Sequence, residues 1–193
     1  MTNIAIFASG SGTNAGNIIK YFSNRNSAKV KIVLSNRREA FVLQRAASLK
    51  VKSVFFDRYE FYESDRVLDC LRDDRIDFIV LAGFLWLVPE NILVAYNHRV
   101  VNIHPALLPL HGGKGLYGDR VHREVIANHE RESGITIHYV NSQYDAGDII
   151  FQARCAVEPG DTPESLAVKV HALEYRYFPE VIEELVKKLP DNH

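Results

Sequence analysis

The sequence predicts an α/β fold with a mostly parallel central sheet and helices on both of its faces. Strand-like apolar runs alternate with segments of helical spacing over the first hundred residues, a pattern typical of right-handed βαβ units. Two runs, Ile4–Ala8 and Phe78–Ala82, are apolar throughout, as expected of central strands that are covered on both faces. No repeat or linker interrupts the 193 residues, so we expect a single domain over 1–193.

The elements follow one another in a regular order. Apolar residues recur three and four apart around 17–22, 42–49, 67–71 and 92–96, which predicts a helix after each of the first four strands. A helix is also predicted over 119–128, and a closing helix runs to about Lys188 from Thr162, an N-cap residue followed by proline. The predicted strands are Ile4–Ala8, Val30–Ser35, Lys52–Phe56, Phe78–Ala82, Val100–Ile103, Ile135–Val140 and Ile149–Ala156.

Composition excludes several classes of protein. The net charge of −1 and the pI of about 6.7 give no basic field for nucleic acid, so no nucleic-acid partner is expected. The first apolar run is too short for a signal peptide or a membrane span. Cys70 and Cys155 are expected to be free thiols. We therefore expect a cytoplasmic protein without a membrane partner, either a monomer or a weak homodimer.

The first turn, Ala8–Gly16, is rich in small residues. Backbone N–H groups in such a turn bind a phosphate at the N-terminus of the following helix. No Gly-Lys-Ser/Thr follows, so it is not a Walker loop, and the second strand ends in Ser35-Asn36 without the acidic residue of a dinucleotide site. Arg37 and Arg38 leave a nicotinamide dinucleotide phosphate as an alternative, and a tight turn without a ligand is another.

Asn102 lies in the fifth predicted strand, and Pro105 ends that strand if it runs through His104. The spacing of Asn102 and His104 then places both side chains on one face of the strand. Asp145 follows the sixth strand in Asp-x-Gly, which can also be an ordinary turn. An amide, an imidazole and a carboxylate can together stabilise an oxyanion and move protons.

A metal site is the rival interpretation of these histidines, with His104, His111 and His122 as ligands. No Cys/His ligand spacing supports it, so we expect no metal. The remaining histidines considered, His98, His129 and His193, are expected at the surface.

A second candidate region is the apolar loop Leu81–Pro89, which contains Trp86. Such a loop either packs into the core or forms the wall of a pocket for a flat ring.

These motifs resemble the folate-dependent formyltransferases. The resemblance rests on Asn-x-His-Pro-Ala-Leu-Leu-Pro from Asn102, on Leu-Ala-Gly-Phe from Leu81 and on Asp-x-Gly-Asp-Ile-Ile from Asp145, and it covers Asn3 to about Leu185. It implies a Rossmann-like formyltransferase fold and 10-formyltetrahydrofolate as the formyl donor. The Ser-Gly-Ser-Gly-Thr-Asn turn is similar to the branch of the family whose acceptor is the amine of glycinamide ribonucleotide.

The resemblance also implies roles for individual residues. Residues 1–100 would form the half that binds phosphate and ribonucleotide, and 101–193 the catalytic and folate-binding half. Asp145 would raise the pKa of His104, so that a charged imidazole and the Asn102 amide stabilise the oxyanion. The implied residues are Asn102, His104 and Asp145 for catalysis, Ser11, Gly12, Thr13, Asn14 and Glu174 for the ribonucleotide, and Leu85, Trp86, Leu87, Val88, Asn141 and Tyr144 for folate.

The chain departs from the familiar pattern at three places. The segment Leu110–Val121 is longer and carries Lys114, Trp86 replaces an arginine beside the pterin, and His171 replaces a glutamine. The alternatives are a formyltetrahydrofolate hydrolase, another formyltransferase of the family such as one acting on methionyl-tRNA, and a non-catalytic nucleotide-binding module. The hydrolase and the tRNA enzyme are expected to carry an additional domain.

Overall fold

A computed structural model of the protein describes residues 1–190. Its strands are β1 (Thr2–Phe7), β2 (Ala28–Ser35), β3 (Lys52–Phe55), β4 (Phe78–Leu81), β5 (Val100–His104), β6 (Glu132–Tyr139) and β7 (Ile149–Ala156). Its helices are α1 (Thr13–Phe22), α2 (Phe41–Ser48), α3 (Arg58–Tyr62), α4 (Arg66–Asp73), α5 (Glu90–Ala95), α6 (Asp119–Ala127) and α7 (Pro163–Lys187).

The seven strands form one sheet in the order β3-β2-β1-β4-β5-β6-β7. Strands β1 to β5 are parallel, and β6 and β7 are antiparallel to their neighbours. The mostly parallel sheet and all seven predicted strands are therefore confirmed. Helix α3 was not predicted because its five residues are too few for a periodic pattern, although Asp57 and Glu60 form a capping box at its start.

Helices cover both faces of the sheet, as predicted. In β1, Ile4 and Ile6 point into a core formed with α1, α2, α6 and α7. Ala5 and Phe7 point into the opposite core, which is formed with α3, α4 and α5. This alternation follows from the two-residue period of a strand, and it explains why the central strands are apolar at every position.

The chain order reverses beside β1, because β2 and β3 extend the sheet on one side and β4 on the other. In open α/β sheets, ligands bind at the carboxyl ends of the strands at such a switch point. Here the turn after β1 meets the loop after β4, and the Ser9 N–H donates to the Gly83 carbonyl over 3.0 Å. A ligand site is therefore expected at this edge of the sheet.

Within residues 1–190, no helix is both long and apolar enough to cross a membrane. His98 and His129 are exposed, as predicted, and His193 lies outside the described residues.

Candidate active site

The glycine-rich turn leads directly into α1. Gly12 is the N-cap residue with φ of 69°, and no side chain caps the helix. A Cβ at Gly12 would overlap the side chain of Val42, so both the backbone conformation and the space require glycine here. Ser11, Gly12, Thr13 and Asn14 all line a cavity of about 310 Å³. The first N–H groups of a helix lack intrahelical partners, so this end of α1 can receive an anion.

Ser9 fixes the turn in place. Its hydroxyl donates to Asn36 Oδ1 over 2.7 Å and accepts from the Leu85 N–H over 3.1 Å. Asn36 therefore supports the turn from β2. The dinucleotide phosphate alternative depends on Arg37 and Arg38. Within the described residues, neither arginine lines the cavity. Arg38 instead stacks on Phe55, with Cζ 4.3 Å from the ring centroid.

Glu174 lies on α7 and contacts the start of α1. The carboxylate is 4% exposed, and its Oε2 accepts from Asn14 Nδ2 and lies against His171 Nδ1, both over 2.8 Å. This contact raises the pKa of His171, although burial partly opposes it. Asn14 Oδ1 is buried without a partner among the described residues, so the site has a free acceptor beside a held carboxylate.

Asn102, His104 and Asp145 come together at the carboxyl end of β5. Asp145 Oδ1 lies 3.5 Å from His104 Nδ1 and 3.5 Å from Asn102 Nδ2. The Asn-x-His spacing places the amide and the imidazole on one face, and the β6–β7 loop brings the carboxylate to them. The structure thus joins the three residues that the sequence singled out, while their catalytic roles stay predictions.

His138 is a fourth member of this group that the sequence analysis missed. It lies opposite Asn102 in the β5–β6 register and is 2% exposed. Its Nδ1 donates to the Tyr139 carbonyl over 2.7 Å, since a carbonyl can only accept. In the neutral ring Nε2 is then an acceptor, and it receives the Asn102 amide over 3.1 Å. Nε2 also lies 3.6 Å from Asp145 Oδ1.

The protonation of His104 differs from the expectation. Its Nε2 donates to the His111 carbonyl over 2.8 Å, which leaves Nδ1 facing Asp145. Burial lowers the pKa of His104, and although Asp145 and the His111 carbonyl raise it, the net direction is downward. The prediction of a raised His104 pKa is therefore wrong, because it considered the carboxylate and not the desolvation of a ring that is 3% exposed.

Asp145 remains a carboxylate in this environment. Burial raises its pKa, but the protonated forms of His138 and His104 and the N–H of Gly113 favour the carboxylate and together lower the pKa. The Gly113 N–H donates to Oδ2 over 3.0 Å. Gly147 is the glycine of the Asp-x-Gly motif, and a Cβ at this position would overlap the Tyr139 carbonyl. The loop can therefore pack against β6 only because residue 147 is glycine. A charged acceptor beside a neutral imidazole suits proton abstraction.

Two cavities meet at these residues. The larger is lined by the phosphate turn, by Glu174 beside that turn, and by His104 and Asp145. The second is a cleft of about 50 Å³ between the loop after β4 and the loop after β6, and it includes Trp86, Leu87 and Val88. Four residues line both cavities: Phe84, Asn102, Tyr144 and Asp145.

The remaining predicted residues divide between these spaces. Leu85 lines the larger cavity, and its carbonyl accepts from the Tyr144 hydroxyl over 3.4 Å. Asn141 is exposed and lines neither cavity; its side chain accepts from the Gln143 N–H and so shapes the loop. Over residues 1–190 no group of three His, Cys, Asp or Glu side chains is placed to hold a metal, which includes the rival set His104, His111 and His122.

Comparison with known proteins agrees with this architecture. The chain is 38% identical over 185 residues to the chloroplastic phosphoribosylglycinamide formyltransferase of Arabidopsis thaliana, covering 93% of this chain and 63% of that protein. It is 30% identical to the phosphoribosylglycinamide formyltransferase of Bacillus subtilis, covering 96% of this chain and 95% of that one. The chain thus spans less than two thirds of the plant relative and nearly all of the bacterial one.

Solved structures show the same fold. The glycinamide ribonucleotide transformylase 1 of Symbiobacterium toebii superposes with a TM-score of 0.88 at 32% identity, covering 100% of this chain and 92% of that one. The phosphoribosylglycinamide formyltransferase of Streptococcus pneumoniae gives 0.84 at 37% identity, covering 96% and 99%. The family model described as formyl transferase matches residues 2–182, so the chain belongs to the formyl transferase family.

Proposed function

We propose that this protein transfers the formyl group of 10-formyltetrahydrofolate to the amine of glycinamide ribonucleotide. The observation that carries the proposal is the position of Asn102 and Asp145, which line both the cavity of the phosphate turn and the apolar cleft. A transferase for these two substrates needs its reactive groups where a phosphorylated acceptor and a flat-ringed donor meet. We propose that 1–193 act as one domain, with the phosphate turn in 1–100 and the catalytic residues in 101–193.

The ribonucleotide fits the larger cavity. Its phosphate would lie on the N–H groups of the turn Ser11–Asn14, where the helix dipole favours negative charge. Glu174 is buried and already oriented by Asn14, so it can accept the ribose hydroxyls. The amine of the substrate would then point towards Asp145 and His104, which line the same cavity.

The folate fits the cleft between Trp86 and Tyr144. Apolar walls at Leu87 and Val88 suit one face of a pterin ring. At about 50 Å³ the cleft admits a bicyclic ring only if the loop that carries Tyr144 moves outward. The Tyr144 hydroxyl makes a long hydrogen bond of 3.4 Å with the Leu85 carbonyl, and the side chain is exposed, so the movement breaks a weak contact.

The catalytic residues act on the amine and on the formyl oxygen. Asp145 accepts the first proton of the protonated amine and passes it to solvent, and the Nδ1 lone pair of His104 accepts the second as the amine attacks, which forms the His104 imidazolium. The Asn102 amide and this imidazolium then donate to the oxyanion of the tetrahedral intermediate. His104 returns a proton to N10 of the folate as the C–N bond breaks. A protonated amine loses two protons and N10 gains one, so each turnover releases one proton.

The test is formyl transfer by the purified protein. We expect 10-formyltetrahydrofolate to be consumed only when glycinamide ribonucleotide is present, with tetrahydrofolate and formylglycinamide ribonucleotide formed in equal amounts. Consumption without the ribonucleotide, with release of formate, would identify a hydrolase. Ribonucleotide binding without consumption would identify a binding module.

A further inference from the structure

One backbone segment contacts both His104 and Asp145. The His111 carbonyl accepts from His104 Nε2 over 2.8 Å, and the Gly113 N–H donates to Asp145 Oδ2 over 3.0 Å. These two contacts fix which nitrogen of His104 carries the proton and how the carboxylate is turned. The segment Leu110–Gly113 therefore determines the geometry of two residues that the proposed mechanism uses.

The segment is not part of a helix or strand, so something else must hold it. His111 has a φ of 55°, a left-handed conformation that few residues other than glycine adopt. Its imidazole is 9% exposed and lies between two carboxylates: Nδ1 is 3.2 Å from Glu124 Oε1 and Nε2 is 3.3 Å from Glu130 Oε1. Carboxylates only accept, so both contacts are complete only when both ring nitrogens carry protons.

The two carboxylates are themselves anchored. Glu124 belongs to α6, and the Glu130 N–H donates to the Val125 carbonyl just past the end of that helix. Helix α6 packs on α7 and buries Val121 and Val125. The His111 ring therefore connects the irregular segment to a packed helix through its contacts with two carboxylates.

We infer that His111 is a positioning residue for the proposed reaction: clamped by Glu124 and Glu130, it holds its own carbonyl on His104 and the neighbouring Gly113 N–H on Asp145. This inference rests on the proposed function for its effect on turnover. Within the described residues, His111 lines neither cavity. Its side chain therefore acts on the reacting groups through the backbone of the segment.

The contacts of His111 should affect the placement of the reacting groups more than the free energy of unfolding. Both glutamate side chains are more than a third exposed, so their contacts with His111 contribute little to the free energy of unfolding. Misplacing a reacting group by about 1 Å can nevertheless reduce turnover by ~10²-fold. The titratable groups that face His111 are Glu124 and Glu130 on the α6 side and His104 on β5, with Asp145 beyond it.

The kinetic test replaces His111 by phenylalanine, which keeps a planar ring and removes both donors. We expect H111F to lower kcat by about 10-fold or more with the KM of both substrates within about twofold, and to shift the pH dependence of kcat. E124Q/E130Q removes both charges and keeps the His111 ring, so it should show a smaller loss in the same direction. The matched control is H129F, because His129 is exposed and shares the left-handed conformation with φ of 53°. Unchanged kcat and pH profile in folded H111F and in E124Q/E130Q would overturn the inference.

A second test does not depend on the reaction. In ¹⁵N-histidine spectra of the wild-type protein, His104 should be neutral with its proton on Nε2. In H111F or E124Q/E130Q we expect the His104 ring to exchange between tautomers. A His104 spectrum that is the same in these variants and the wild type would refute the positioning role. This result stands whether or not glycinamide ribonucleotide is the substrate.

Discussion

Asn102 and His138 face each other across the β5–β6 pair, and the Asn102 amide donates to His138 Nε2 over 3.1 Å. Because His138 Nδ1 is committed to the Tyr139 carbonyl, the ring presents an acceptor to the amide. The orientation of Asn102 is therefore set before any substrate arrives. One amide N–H is used by His138. Asn102 Nδ2 lies 3.5 Å from Asp145 Oδ1, at the limit of a hydrogen bond. The second N–H therefore stays available to an oxyanion.

Replacing Asn102 by alanine should remove this donor. We expect kcat to fall by about 10²–10³-fold, as is typical for the loss of one oxyanion donor, with little change in the melting temperature. The control is N91A, which removes an amide on α5 that hydrogen-bonds to Asp65 and to its own helix. Steady-state kinetics with both substrates would check this, and turnover in N102A close to that of N91A would remove Asn102 from the mechanism.

Gly12 should be required for ribonucleotide binding. In G12A the new methyl group meets Val42 and the backbone at φ of 69° is strained, so the turn must shift away from the anion. We expect the KM for glycinamide ribonucleotide to rise by at least about 10-fold, since a shifted turn misaligns several N–H donors at once. The KM for the folate should change little.

Gly10 provides the matched control for this turn. A Cβ at Gly10 meets no heavy atom within 4 Å, and its φ is not in the left-handed region. G10A should therefore keep the conformation of the turn and lose less affinity for the ribonucleotide than G12A. Equal losses in G10A and G12A would show that any substitution in the turn is harmful and would contradict the specific role of Gly12.

His104 should make the fold less stable in mild acid. Its folded pKa lies below the ordinary value of 6.5 mainly because of burial. As the pH falls below about 6.5, the unfolded chain binds a proton that the folded chain does not, so the free energy of unfolding decreases. We expect the melting temperature of the wild-type protein to fall from pH 7 to pH 5, and to fall less in H104Q.

The pKa of His171 is shifted in the opposite direction to that of His104, so His171 serves as the comparison. Its folded pKa is raised, mainly by Glu174, so its contribution to stability is complete below about 6.5 and is lost as the pH rises through the folded pKa. H171Q should change the melting profile above pH 6.5 and leave the slope between pH 5 and 6 intact. Identical slopes for wild type and H104Q below pH 6.5 would contradict the assignment to His104.

The sequence was sufficient for the sheet and for three of the four residues grouped at the end of β5. Apolar runs and prolines locate strands and their ends locally, so Asn102 and His104 could be placed at a sheet edge without knowledge of the packing. Asp145 could be added because its turn follows a strand of the same sheet. These inferences use only neighbouring residues.

His138 and the state of His104 could not be predicted in the same way. His138 faces Asn102 only because β6 runs antiparallel to β5 in one particular register, which no local pattern reveals. The pKa of His104 depends on how deeply the segment after β5 buries the ring. The one available signal for His138 was a lone histidine in the otherwise apolar end of a strand.

Trp86 should report folate binding directly. It is the single tryptophan of the 193 residues, and it lies in the proposed folate cleft with its ring 5.8 Å from that of Tyr62. A pterin that enters the cleft would contact the indole, so 10-formyltetrahydrofolate, or a non-reactive folate analogue, should quench the tryptophan emission in a saturable way. Glycinamide ribonucleotide alone should not, because it occupies the other cavity. In Y144A, which removes the opposite wall, saturation should need roughly 10-fold more folate, consistent with the loss of an aromatic contact worth about 1 kcal/mol or somewhat more. Quenching by the ribonucleotide and not by the folate would place the donor elsewhere and would reverse the assignment of the two cavities.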